Sequence, residues 1–212
     1  MTMRWWEEKT AQFLGPRVGR GQRPGHWPAA NFTVDWFLRH IDMWNAYLAP
    51  WLEANPPRVM LEVGNYEGMS ARWLLEHTRE CPLHLVDPYP GPEYEAIRDR
   101  CQKNLLETGQ NKRATMFRQR SKDFWDGLFW TYDFIYVDGN HSAATVELDV
   151  VNAWKKLAPR GIILLDDYYH EEDKEWDVER EVRAGVKAAM PQIEPPLGLE
   201  RLGQCAMLRK PL

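Results

Sequence analysis

Several features that mark whole classes of protein are scarce or missing in this 212-residue chain. There are three cysteines, Cys81, Cys101 and Cys205, too scattered for a disulfide framework or a metal-binding spacing. No apolar run approaches the roughly 20 residues that a membrane-spanning helix needs, and the opening MTMRWWEEKT puts charges where a signal peptide needs its apolar stretch. Cytoplasm is therefore the expected compartment. Neither sign of charge dominates: 27 Lys and Arg face 31 Asp and Glu, a formal net charge of −4, which excludes the strongly basic footprint of a nucleic-acid binder. Internal repeats and low-complexity tracts are also absent. What these absences leave is a globular chain with a small-molecule partner, no nucleic acid and no membrane. Its 44% hydrophobic content is enough for one full-sized core.

The most informative stretch is RVMLEVGNYEGMS, residues 58–70. Val59, Met60, Leu61 and Val63 form the near-continuous apolar run expected of a strand buried on both faces of a parallel sheet. Glu62 interrupts it, and a carboxylate there needs a hydrogen-bonding role at the strand's carboxyl edge. Gly64 and Gly68 then allow a tight turn and close approach of the backbone to a ligand, before helical spacing resumes at Ser70.

Strand and helix alternate from here on. PLHLV ends in Asp87, ATMFR leads to Ser121, YDFIYV ends in Asp138 with Gly139, Asn140 and His141 behind it, and IILL ends in Asp166-Asp167. Helices are expected over 93–107, 142–157 and 175–190, and a final antiparallel pair over 197–202 and 204–209. The pattern predicts an α/β fold: a mostly parallel, seven-stranded Rossmann-like sheet with helices on both faces and an antiparallel C-terminal strand. Ligands bind such sheets beyond the carboxyl ends of the strands, where four strands here present acids. Asp87 lies 23 positions after Gly64, near the ~20 expected of a ribose-binding acid, or else it caps a turn before Pro88. Ser121 either contacts a purine edge or caps the next helix.

Before residue 58, Val34, Phe37, Leu38, Ile41, Trp44, Leu48 and Trp51 keep helical spacing, with Thr33 placed to cap and Pro56-Pro57 to stop the helix. Residues 4–14 suit a short helix. The Gly- and Pro-rich stretch 15–28 reads as a loop, and its Arg17, Arg20, Arg23 and His26 either attract an anionic substrate group or are simply solvated. Two regions follow: 1–57, a helical and loop extension packed on the core, and 58–212, the ligand-binding domain. Trp36, Trp44 and Trp51 suit either an acceptor-pocket wall or a homo-oligomer contact.

One glycine pair four apart is not the G-x-G-x-x-G of a nicotinamide-binding fold. Together with the strand-end acids, it resembles the first motif of the class I S-adenosylmethionine-dependent methyltransferases. LEVGNYEGMSARWLLEH, DFIYVDGNHSAATVELDV and LAPRGIILLDDY are similar to the bacterial family that includes metal-dependent macrolide-sugar O-methyltransferases. The resemblance implies S-adenosylmethionine as cofactor. Its binding residues would be Glu62, Gly64, Asn65, Tyr66, Gly68, Ser70, Asp87, Ser121 and Asp138. It also implies a divalent cation, magnesium for instance, at Asp138, Asp166 and Asp167, with Asp166 and His141 as catalytic residues and His141 the general base. The resemblance leaves alternatives: His141 as a helix cap, the aspartate pair as substrate-orienting and capping groups without metal, a metal-independent N- or O-methyltransferase, or a noncatalytic cofactor-binding protein.

Overall fold

The computed structural model describes residues 21–27, 31–127, 129–169 and 178–212. Seven strands form one sheet in the order β3-β2-β1-β4-β5-β7-β6. They are β1 (Met60–Val63), β2 (Leu83–Val86), β3 (Ala114–Phe117), β4 (Tyr132–Val137), β5 (Leu157–Leu165), β6 (Leu199–Leu202) and β7 (Cys205–Arg209). Strands β1 to β5 pair in parallel, while β7 runs antiparallel to both β5 and β6. The chain reverses its direction of travel across the sheet between β1 and β4, which leaves a crevice at their carboxyl ends.

Alternation along the strands produces two cores. Met60, Leu83, Leu85, Phe134, Tyr136, Ile162 and Leu164 face one side, packed with Trp44, Trp73 and Leu74. Leu61, Val63, Val86, Ile135, Val137, Ile163 and Leu165 face the other, packed with Val146, Val150, Trp154 and Val182. The helices are α1 (Leu38–Met43), which runs through a π-helical turn (Trp44–Leu48) into α2 (Ala49–Ala54), then α3 (Met69–His77), α4 (Glu95–Glu107), α5 (Ser121–Asp126), α6 (Ala143–Lys156) and α7 (Val178–Ala189). No described helix is long and apolar enough to cross a membrane.

Two local expectations change. Thr33 does not cap α1, which begins five residues later with no side-chain cap. The fifth strand begins at Leu157 rather than Ile162, because Leu157 already pairs with Tyr132 and the register then shifts before Phe134. Arg160, at φ +65°, absorbs that irregularity inside the strand. Residues 1–20, and with them the expected helix over 4–14 and the loop's Arg17 and Arg20, lie outside the described residues. The loop's described end packs on α3: the Nε1–H of Trp27 donates to Glu76 Oε2 at 2.8 Å, and His26 Nε2 lies 3.0 Å from the same oxygen.

Candidate active site

Two groups of side chains meet at the carboxyl edge of the sheet, one around the glycine loop and one around the ends of β4 and β5. The loop between β1 and α3 takes an unusual path. Gly64, Tyr66 and Gly68 all have positive φ, at +84°, +41° and +75°. A Cβ on Gly64 would lie 2.0 Å from the Asp138 carbonyl oxygen, so only glycine lets the loop pass this close to the end of β4. Tyr66 has no such freedom, and its conformation is held from outside. Asp87 Oδ2 accepts the backbone N–H of both Asn65 (3.2 Å) and Tyr66 (3.0 Å), and Oδ1 accepts that of Tyr89. The Tyr89 hydroxyl donates to the Tyr66 carbonyl at 2.8 Å and accepts from Asn65 Nδ2.

Beneath the loop, Glu62 is wholly buried. Ser70 Oγ donates to its Oε1, while Oε2 has no partner among the described residues. Burial pushes this carboxyl up to about 8, against the pull of the Ser70 bond and with the Asp87 charge adding to the rise. A buried carboxylate oxygen without a donor is a ready acceptor for a ligand's N–H.

The second group is a cluster of acids and histidines. His141 Nε2 stands 3.5 Å from Asp138 Oδ1 and 3.7 Å from Asp167 Oδ2. Tyr136 OH donates to the other Asp138 oxygen at 3.2 Å. Burial lowers the His141 pKa, but its bond to Asp138 and the surrounding carboxylates outweigh that and raise it to about 9. Asp138 is pushed well above the carboxylate range by burial and by the charge of Asp166. Asp166 goes the other way: burial would raise it, but His40, Cys205 and His141 hold it well below. Its contacts both fall on Oδ1, with His40 Nε2 at 3.1 Å and the Cys205 thiol donating at 3.0 Å. Arg39 lies 3.8 Å from Asp167.

Comparisons with known proteins bear on what this edge is. A family model described as "Methyltransferase domain" matches residues 61–168, from β1 through both groups to just past the Asp166-Asp167 pair. The chain belongs to this methyltransferase family. No curated protein matches it. Solved structures share the fold at low identity. The SAH-bound methyltransferase PaMTH1 of Podospora anserina is 17% identical with a TM-score of 0.64, over 89% of this chain and 88% of that one. The O-methyltransferase from Bacillus cereus in complex with SAH is 15% identical with a TM-score of 0.61, over 87% and 84%. The O-methyltransferase TomG from Streptomyces achromogenes, involved in tomaymycin synthesis and solved with SAM, is 15% identical with a TM-score of 0.58, over 77% and 78%. The methyltransferase therefore shares the class I, Rossmann-like fold of proteins solved with SAM or SAH.

In this methyltransferase Glu62, Gly64, Asn65, Tyr66, Gly68, Ser70 and Asp87 come together in one loop and its supports. Asp138 joins them through the contact of its carbonyl with Gly64. Ser121 stands apart from them: it opens α5, and its hydroxyl bonds to the buried Asp149, which also accepts the Trp125 indole N–H at 2.8 Å. Tyr168 is buried on the second core, and Tyr169 lies between Arg183 and Arg201. His170 is outside the described residues. Sequence reasoning missed His40 and Glu67. The one signal for His40 was a polar residue on the apolar face of its helix, between Phe37 and Trp44. Glu67 reads as a solvated charge in a glycine loop, yet it is buried. Among the described residues, the group whose donor atoms converge closely enough to hold a metal is His40, Asp166 and Cys205, rather than the three aspartates.

Proposed function

We propose that this methyltransferase moves the methyl group of S-adenosylmethionine to a hydroxyl oxygen of a small molecule such as a sugar, a polyol or a natural product. Asp138, Asp166 and Asp167 would hold a divalent cation of the magnesium type, their oxygens drawing closer together around it than they stand in the empty site. The observation that carries the reading is the placement of His141 between Asp138 and Asp167, on a strand end that the cofactor loop touches through Gly64. Carboxylate oxygens are hard donors, and three of them on adjacent strand ends suit a hard cation in the chemistry of their donor set. Among the described residues the contacts of Asp166 with His40 and Cys205 both fall on Oδ1, so Oδ2 is the atom that would turn to it. A bound cation would acidify an acceptor hydroxyl and offset the carboxylate charge that holds His141 protonated.

The chain's own groups would divide the remaining work. The Gly64–Gly68 loop, Glu62 and Asp87 seat the cofactor, and Ser121 borders its adenine. Neutral His141 takes the hydroxyl proton as oxygen attacks the methyl. Holding oxygen, carbon and sulfur in line supplies most of the acceleration. That TomG is involved in tomaymycin synthesis supports a natural-product acceptor.

A metal-independent N- or O-methyltransferase has an observation of its own in its favour. His141, with its raised pKa, and Arg39 already bring positive charge to Asp138 and Asp167, and His40 Nε2 lies 3.1 Å from Asp166. Calorimetry with S-adenosylmethionine, followed by turnover on a panel of hydroxyl and amine acceptors with magnesium or EDTA, separates the readings. Hydroxyl methylation lost on chelation supports the first. Turnover indifferent to chelation removes the cation and favours the second, and a protein that binds no cofactor sinks both.

A further inference from the structure

The carboxylate of Glu67 lies inside the cofactor loop but points away from the sheet edge, toward the segment before β1. It is 2% exposed, and three of its contacts come from outside the loop. The Thr33 backbone N–H donates to Oε2 at 2.7 Å, the Thr33 hydroxyl to Oε1 at 2.5 Å, and Arg100 to Oε1 at 3.3 Å. Asn104 strengthens the junction by donating to the Glu67 carbonyl at 2.7 Å and to the Asn31 carbonyl at 3.3 Å. Three residues beyond Thr33, the half-exposed ring of Trp36 lies against Tyr66, centroids 5.1 Å apart.

These contacts matter because of the loop's backbone. A left-handed conformation at a bulky residue such as Tyr66 is unfavourable on its own and persists only where neighbours impose it. Asp87 and Tyr89 hold the loop from the sheet side, and Glu67 holds it from the other. We infer that Glu67 is a positioning residue: by latching the loop to Thr33, it keeps the Gly64–Gly68 backbone in the form that receives S-adenosylmethionine, so the segment before β1 takes part in cofactor binding. The inference rests on the methyltransferase reading and is independent of the cation and of the acceptor. An unlatched loop would populate the binding form less often, and apparent affinity falls in proportion to that population.

The test is calorimetry with S-adenosylhomocysteine on the whole chain, alongside thermal unfolding. Glu67→Ala should raise Kd about tenfold, within the usual range of couplings between sites. Thr33→Val should raise it about threefold, since the backbone N–H bond survives, and Thr33→Ser should restore wild-type affinity. In the double variant the Thr33 change should add nothing, because its partner is gone. Asn45→Ala serves as the control: it removes the acceptor of the Trp73 indole N–H, a junction of the same segment with α3, and should lower the Tm while leaving Kd unchanged. Should Glu67→Ala fail to fold, Thr33→Val decides alone. Wild-type affinity in Thr33→Val, additive effects, or an equal loss of affinity in Asn45→Ala would each overturn the latch while leaving the methyltransferase reading intact. Absence of binding by the wild-type chain would overturn both.

Discussion

Glu62 gives the sharpest test of how the cofactor is seated, because its protonation state should change on binding. Its carboxyl has no solvent exposure, one oxygen bonded to Ser70 and the other without a partner among the described residues. With a pKa of about 8, it is about nine-tenths protonated in the empty protein at pH 7. If Oε2 receives the ammonium group of the cofactor's methionine part, the carboxylate must be charged in the complex, and binding ejects the proton. Calorimetry with S-adenosylhomocysteine in two buffers of different ionisation enthalpy should therefore show release of about 0.9 proton per site at pH 7 and about half a proton at pH 8. Glu62→Gln should bind more weakly and release none through this site. The empty protein carries the opposite signature. The folded pKa lies above the ordinary 4.5, so the group's stability contribution is fully present below pH 4.5 and lost as pH rises through about 8. Complete ionisation costs roughly 5 kcal/mol. Glu62→Gln should thus raise the Tm of the empty protein at pH 9 while leaving it unchanged at pH 4.5. Equal proton release by wild type and Glu62→Gln would refute the assignment.

Three further outcomes are expected. Asp166→Asn should abolish cation-dependent turnover while sparing cofactor affinity; intact turnover would remove Asp166 from the chemistry. His141→Ala should keep the cofactor bound and slow single-turnover methyl transfer by about 10²-fold or more, and an unchanged rate would reduce His141 to a helix cap. Asp149, buried beneath α5, has its carboxyl pushed up by burial to about 6 against the bonds from Trp125 and Ser121. Because that is above the unfolded 3.8, its contribution is present below pH 3.8 and lost as pH rises through about 6. Urea unfolding should find Asp149→Asn up to about 3 kcal/mol more stable than wild type at pH 8 and no different at pH 3.5.

The sheet was legible because strands buried on both faces leave apolar runs that little else produces: MLEV, LHLV and YDFIYV mark β1, β2 and β4. The acids that close these runs were legible for the same reason, since a carboxylate ending an apolar run has little use in a core. The first half of β5 was hidden by Pro159-Arg160-Gly161, which reads as a turn but lies within a strand whose pairing starts earlier. Contacts between distant segments left no local trace. Nothing around Thr33 distinguishes a helix cap from a donor to Glu67, and nothing around His40 names Asp166, 126 residues away, as its partner.

Those distant contacts share one feature that bears on how the site works. Thr33 and Trp36 reach the cofactor loop, while Arg39 and His40, one helical turn further on, reach Asp167 and Asp166 at the end of β5. A single stretch of eight residues therefore touches both halves of the site. It is anchored just beyond by Trp44, whose ring lies edge-on to Trp73 and Tyr136 with centroids 5.0 Å away in each case. Tyr136 in turn donates its hydroxyl to Asp138. Because Trp44 is wholly buried in the same core as Met60 and Phe134, α1 cannot shift without disturbing β1 and β4. The segment before β1 is thus joined to the sheet by core packing and to the site by polar contacts, and the two kinds of joint carry different consequences. Loosening the core at Trp44 would lower stability and blunt both halves together. Cutting one polar contact would affect only the half it serves, cofactor affinity for Thr33–Glu67 and the setting of the β5 acid for His40–Asp166.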